Sequence, residues 1–178
     1  SPERTPCGVF TLLPIEDVHY GPGCLAGLGA ALAQRGIERA LLITGRTLAL
    51  QTGLVARVRD AAQGRIAAVF HDTIQHVHRR AVLGAAAAAR EIAADAIVSF
   101  GGGTPNDTGK AVVMALAADV RTVDDFERLR VKFTYPDQVE VPPVTGDALP
   151  MIAISTTLSG GEFTHFAGVT DEVRKVKD

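Results

Sequence analysis

The stretch AIVSFGGGTPNDTGKAVVMALAA, residues 96–118, decides the fold. Ala96–Phe100 is a short, mostly apolar run, as expected of a strand buried on both faces. Three glycines follow, and beyond them Lys110–Ala118 is almost wholly apolar and predicted helical. Glycine lets the backbone turn sharply and leaves room for a ligand to approach main-chain N–H groups. Thr104 suits the N-cap of that helix, Pro105 its first position, and Asp107, three residues past the cap, a capping box. Such a helix start, with free N–H groups and a positive dipole end, favours an anion and above all a phosphate or pyrophosphate. The loop is not the GxGxxG dinucleotide fingerprint, because Thr104-Pro105-Asn106 follows Gly103. Nor is it a Walker A loop, since Thr104 and Ala111 stand where glycine and Ser or Thr are required. On purely structural grounds the same residues make a tight turn into a capped helix, with Asp107 as the capping carboxylate and Lys110 as a solvated charge.

Outward from this stretch the same rhythm repeats. Arg39–Thr44 and Arg65–Phe70 are strand-like runs, and Met151–Ser155 is a last one. Between them Leu50, Leu54, Val58 and Ala61 predict a helix over Leu48–Ala62, and Val77, Ala81, Ala85, Ala88 and Ile92 predict a second, alanine-rich one. Gly23–Gln34 also reads as helix, closed by Gly36 in the C′ position. Strand alternating with helix predicts βαβ units: an open, Rossmann-like α/β fold, its mostly parallel sheet flanked by helices on both faces and its ligand sites at the carboxyl ends of the strands. Residues 119–150 break the rhythm with four prolines and mixed charges. They read as a partly irregular insertion in one domain spanning 1–178, with Val131–Thr134 as a short edge strand.

A second loop, Ser155-Thr156-Thr157-Leu158-Ser159-Gly160-Gly161-Glu162-Phe163-Thr164, follows the last strand and lies on the same rim. Hydroxyls of Thr156, Thr157 and Ser159 could bond a pyrophosphate, a ribose or an amide. Ser159 lacks the glycine two positions earlier that a nucleophile elbow needs, because Thr157 stands there. Glu162 reads as a carboxylate bonded to loop amides, with general acid/base work as the alternative.

Composition bounds the rest. A 47% hydrophobic, 21% charged chain of 178 residues builds one core, and a net charge of −2 carries no footprint for nucleic acid. No stretch approaches the ~20 apolar residues of a membrane helix, and Ser1-Pro2-Glu3-Arg4 leads into no secretory h-region. A cytoplasmic location is therefore expected. Cys7 and Cys24 lack CxxC spacing and read as idle thiols. His19, His71, His76, His78 and His165 have no metal-ligand spacing, so no metal site is expected in this chain. The charged end, Val173–Asp178, carries no stop signal and reads as a cut within something longer.

At its two loops the sequence resembles the iron-containing, or type III, alcohol dehydrogenase family. The family's GGGSxxDxxK signature is similar to Gly101–Lys110, with Thr104 for serine, and its PTTxGTxxE(V/F)T signature to Ser155–Thr164. Tyr20-Gly21-Pro22-Gly23 resembles an early phenylalanine-glycine-x-glycine element, and Thr170-Asp171 with Lys177 a threonine-aspartate…lysine segment. The likeness covers the family's N-terminal half. It implies that Gly101, Gly102, Gly103 and Thr104 hold the pyrophosphate of NAD or NADP, and that Asp107 lies near the nicotinamide. It further implies that Lys110 anchors the loop, and that Thr156, Thr157, Ser159, Phe163 and Lys177 line the cofactor site. Gly45 stands where NAD-preferring members often carry an aspartate, and Arg46 beside it suits the 2′-phosphate of NADP. Ser155 replaces proline, and the shorter second loop resembles the maleylacetate reductase branch, whereas Asp107 resembles the alcohol dehydrogenase branch.

The family's divalent metal, Fe2+ or Zn2+, is held by an aspartate and three histidines of a helical C-terminal domain that this sequence lacks. No catalytic residue is therefore assigned to this chain, which alone is expected to be inactive. The implied whole is a hydride-transferring oxidoreductase acting on a small alcohol, aldehyde or ketone, commonly a homo-oligomer. The alternatives are a stand-alone nucleotide-binding module without catalysis, and a fragment of a maleylacetate-reductase-like enzyme.

Overall fold

The computed structural model describes residues 15–144 and 146–177. Four parallel strands form the sheet: β1 (Ala40–Thr44), β2 (Ile66–Phe70), β3 (Ala96–Gly101) and β6 (Met151–Ser155), in the order β2-β1-β3-β6. The central β1 and β3 are buried along their whole length, which is why they read as continuous apolar runs. Period two divides their side chains between two cores. Leu41, Ile43 and Ile97 face α4 (Arg79–Glu91) and α5 (Gly103–Ala117), where Val82, Ala85, Ala86 and Val112 are fully buried. Ala40, Leu42, Val98 and Phe100 face α1 (Leu28–Gln34) and α3 (Leu54–Ala61) through Leu32, Val55 and Val58. Helices therefore cover both faces of a mostly parallel sheet, as expected. Alanine at 81, 85, 86 and 89 lets α4 pack closely on the strands.

Several local expectations need correction. The helix over Leu48–Ala62 is two: α2 (Arg46–Gln51) and α3, parted at Thr52, whose backbone is extended. The Thr52 hydroxyl donates to the Leu48 carbonyl and accepts from Leu54 N–H, replacing the helical ladder there. Val77 is not the first helical residue. It sits at φ 53 behind His76 at φ 68, and α4 starts after an extended His78. Val77 is nonetheless buried, so it satisfied the helical period from a turn. Residues 132–134 are β4, but β4 pairs antiparallel with β5 (Gln138–Glu140) in a separate hairpin and is no edge of the main sheet. The insertion also contributes a core residue, Phe126, in a three-ten turn. Gly36 closes the first helix at φ 68, as expected. Cys24 is exposed and free; Cys7 and Ser1–Arg4 lie outside the described residues.

Candidate functional site

The order β2-β1-β3-β6 reverses direction between β1 and β3, and an open α/β sheet opens its ligand crevice at the carboxyl ends of such a pair. The loops after β1 and β3 are those that carry Gly45-Arg46 and Gly101-Gly102-Gly103. A buried Thr44 hydroxyl donates to the Phe100 carbonyl at 2.8 Å and ties the two strand ends together.

Gly101 turns the chain at φ +144, a backbone conformation open to glycine, and a Cβ there would meet Pro105 at 2.8 Å. Because the turn is made at Gly101, the helix begins two residues earlier than a Thr104 cap predicts. Gly102 is the N-cap without a side-chain cap bond, and Gly103, Thr104 and Pro105 form the first turn of α5. Thr104 is thus not the N-cap, nor Pro105 the first helical residue. Asp107 closes no capping box either: its carboxylate pairs with Lys110 Nζ at 2.8 Å. The first-turn N–H groups have no intrahelical acceptor, and among the described residues the N-cap, Gly102, has no side chain to take that place.

The second loop lies directly against this helix start. Gly101 and Ser155 are register partners of β3 and β6, and Thr156 N–H donates to the Gly101 carbonyl at 2.9 Å. A Cβ on Gly102 would stand 3.1 Å from the Thr157 hydroxyl, and one on Gly103 3.8 Å from Ser159 Cβ. Ser159 Oγ donates to Glu162 at 3.2 Å, so Glu162 is held by a loop hydroxyl and not by the loop amides expected. Lys110 is buried rather than a solvated charge. Its ammonium donates to the Gly161 carbonyl at 3.1 Å, to the Thr164 hydroxyl at 3.3 Å and, by a short bond, to the Phe166 carbonyl. One cation thereby joins α5 to the second loop across fifty residues of chain.

Gly101, Gly102, Gly103, Thr104, Asp107, Thr156, Thr157 and Ser159 thus converge around one helix N-terminus. Phe163 is half-exposed in a three-ten turn of the second loop. Gly45 and Arg46 stand one strand away, where Arg46 pairs with Asp72 at 3.3 Å. Lys177 lies in β8 (Val176–Lys177), paired with Thr170 of β7 (Thr170–Asp171), its stem over Gly168. That hairpin is pinned from below: Arg79, itself buried, reaches Asp171 at 3.1 Å and Glu127 at 2.7 Å, and Arg174 reaches both carboxylates. Backbone and side-chain hydrogen bonds from Arg174 pull the Asp171 carboxyl down to about 2.

Two polar residues escaped the sequence reading. Asn106 is buried in the first turns of α5, with Nδ2 lacking a partner among the described residues and the Cβ position of Gly161 3.7 Å away. Asp72 became visible only once β1 and β2 were neighbours. Among the described residues no group of three or more His, Cys, Asp or Glu could hold a metal ion, and His165 stacks on Phe166 at 4.1 Å. An open recess of about 590 Å³ lies elsewhere, between the end of α3 and the amino end of β2, lined by Ala56, Arg59, Asp60, Gly64 and Ile66.

Sheet order, switch point and glycine turn together define a class: an open Rossmann-like α/β domain with an uncapped helix N-terminus at its crevice. Residues 16–178 match the family model described as iron-containing alcohol dehydrogenase, and the chain belongs to that family. It is 31% identical over 161 residues to an NAD-dependent methanol dehydrogenase of Bacillus methanolicus, covering 88% of this chain and 38% of that protein. It is 30% identical over 158 residues to a maleylacetate reductase of Pseudomonas sp. (strain P51), covering 89% and 35%. The crystal structure of a 1,3-propanediol oxidoreductase superposes with a TM-score of 0.75 at 25% identity, over 96% of this chain and 42% of that one. The chain thus spans about two fifths of the length of the proteins it resembles.

Proposed function

We propose that this chain is the nucleotide-binding portion of an NAD(P)-dependent, metal-dependent oxidoreductase that moves hydride between a nicotinamide coenzyme and a small alcohol or its carbonyl product. The observation that carries the proposal is the uncapped N-terminus of α5, flanked by a hydroxyl-bearing loop bonded to its glycine turn. Main-chain N–H groups of Gly102, Gly103 and Thr104 would take the pyrophosphate, where the helix dipole favours its charge. Thr156, Thr157 and Ser159 supply hydroxyls, and a glycine at 102 leaves space that a Cβ would take from Thr157. Asp107, Phe163 and Lys177 follow as further coenzyme contacts from the family resemblance, and Gly45 with Arg46 as the neighbourhood of the adenosine ribose.

When bound, the nicotinamide supplies the hydride donor or acceptor; the protein supplies binding and orientation. Lys110 keeps the two loops in one relative position, so both engage the same ligand without reordering. Among the described residues no group of three or more His, Cys, Asp or Glu fits a metal ion. The ligands of the metal would come, as the family resemblance implies, from a helical C-terminal domain. Small alcohols and aldehydes are the proposed substrates, in keeping with the methanol dehydrogenase among its relatives.

Thermal melts with NAD and NADP test the coenzyme site. At a hundred times its Kd, a ligand of the folded state adds ~2.7 kcal/mol of stability. A rise in Tm with at least one coenzyme is expected, and Gly102→Val should weaken that binding about ten-fold or more. No rise with either overturns the proposal. The purified chain, even with added iron or zinc, should oxidise no alcohol.

A further inference from the structure

The carboxyl ends of β1 and β2 meet in an isolated bridge between Gly45 and Asp72, just beyond the paired strands. Thr73 fixes the segment by donating its hydroxyl to the Thr44 carbonyl at 3.0 Å. There the Asp72 carboxylate stands 3.3 Å from Arg46 Nη1 and 3.4 Å from His71 Nδ1. Arg46 and Asp72 are 69% and 60% exposed, so the pair faces solvent at the crevice and is no part of the core. In Rossmann-like sheets a carboxylate at a strand end accepts from the 2′-hydroxyl of an adenosine ribose, whereas an arginine there accommodates a 2′-phosphate. Here both groups occupy adjoining strand ends and partly neutralise each other.

We propose that Asp72 is a specificity-determining residue for the coenzyme: it offers the carboxylate that Gly45 lacks and, by pairing with Arg46, withdraws that guanidinium from a 2′-phosphate. The inference rests on α5 being the pyrophosphate site, one strand over. Asp72 discriminates in a third way as well, because its charge repels a 2′-phosphate directly, a repulsive element of the kind that gives specificity. Exposed ion pairs are weak, so the expected effect is a change of about five-fold rather than a switch of several decades.

Titration of the chain with NAD and with NADP, in wild type, Asp72→Asn and Asp72→Asn/Arg46→Ala, decides it. Asp72→Asn should raise the ratio of NADP to NAD affinity about five-fold, and the added Arg46→Ala should remove the part of that gain that the freed guanidinium carries. Both effects should shrink at high salt. Asp72→Ser repeats the test should the asparagine variant melt early. Coenzyme binding by wild type with an unchanged ratio in the Asp72 variants overturns this inference alone. No binding of either coenzyme by wild type overturns the coenzyme site and this inference with it.

Discussion

Lys110 illustrates how a single side chain changes meaning between sequence and structure. From its position it is either a surface charge or an anchor, and burial settles the matter, because an ammonium in that environment must be fully bonded. Its acceptors lie on a loop fifty residues away, so no local pattern reveals them. Lys110→Met should leave Asp107 and the loop carbonyls without their cation and cost about 2–4 kcal/mol in urea melts. Asp171 gives a prediction in pH. Its carboxyl is held near 2, below the ordinary 3.8, by Arg174, and Arg79 lowers Glu127 in the same direction. A folded pKa below the unfolded one stabilises above the unfolded value, and that contribution fades as pH falls through the folded one. Thermal melts between about pH 4 and pH 2 should therefore lose this contribution in wild type, and Asp171→Asn should melt lower at neutral pH with a flatter acid limb. Asp72 was illegible for a different reason: its partner lies on another strand, and strand order is not written in either segment alone.

At the scale of elements, strands were more legible than helix boundaries. A strand buried on both faces must be apolar throughout, so β1 and β3 are almost unmistakable. Helical period, by contrast, by itself marks neither an unbroken helix nor burial, since Leu50 and Leu54 are exposed. Val77 is buried from a left-handed turn, and Leu50 and Leu54 keep the period across the break at Thr52. Capping preferences point to a start of α5 at Thr104, whereas the backbone turn at Gly101 sets the first helical residue at Gly103. The β4–β5 hairpin could not be told from an edge strand, since three residues carry too little pattern to name a partner. The alanine face of α4 allows a direct check. Ala85 has no accessible surface between helix and sheet, so Ala85→Leu should overpack the interface and cost about 1–3 kcal/mol.

For the molecule as a whole, the alternation of strand and helix was enough to predict an open parallel sheet with a ligand rim, and the sheet order locates the crevice between β1 and β3. The chemistry assembled on that rim consists of backbone donors, hydroxyls and a locked loop, which are means of holding a ligand. In the proposed function the α5 N-terminus and the loop after β6 form one dinucleotide site. Amide chemical-shift mapping of the chain during titration with NAD decides whether they do. Saturable shifts should concentrate at Gly101–Thr104 and Thr156–Ser159, with a smaller set at Gly45 and Arg46. Saturable shifts confined to the recess beside Arg59 and Gly64, or no shifts at all, would contradict it.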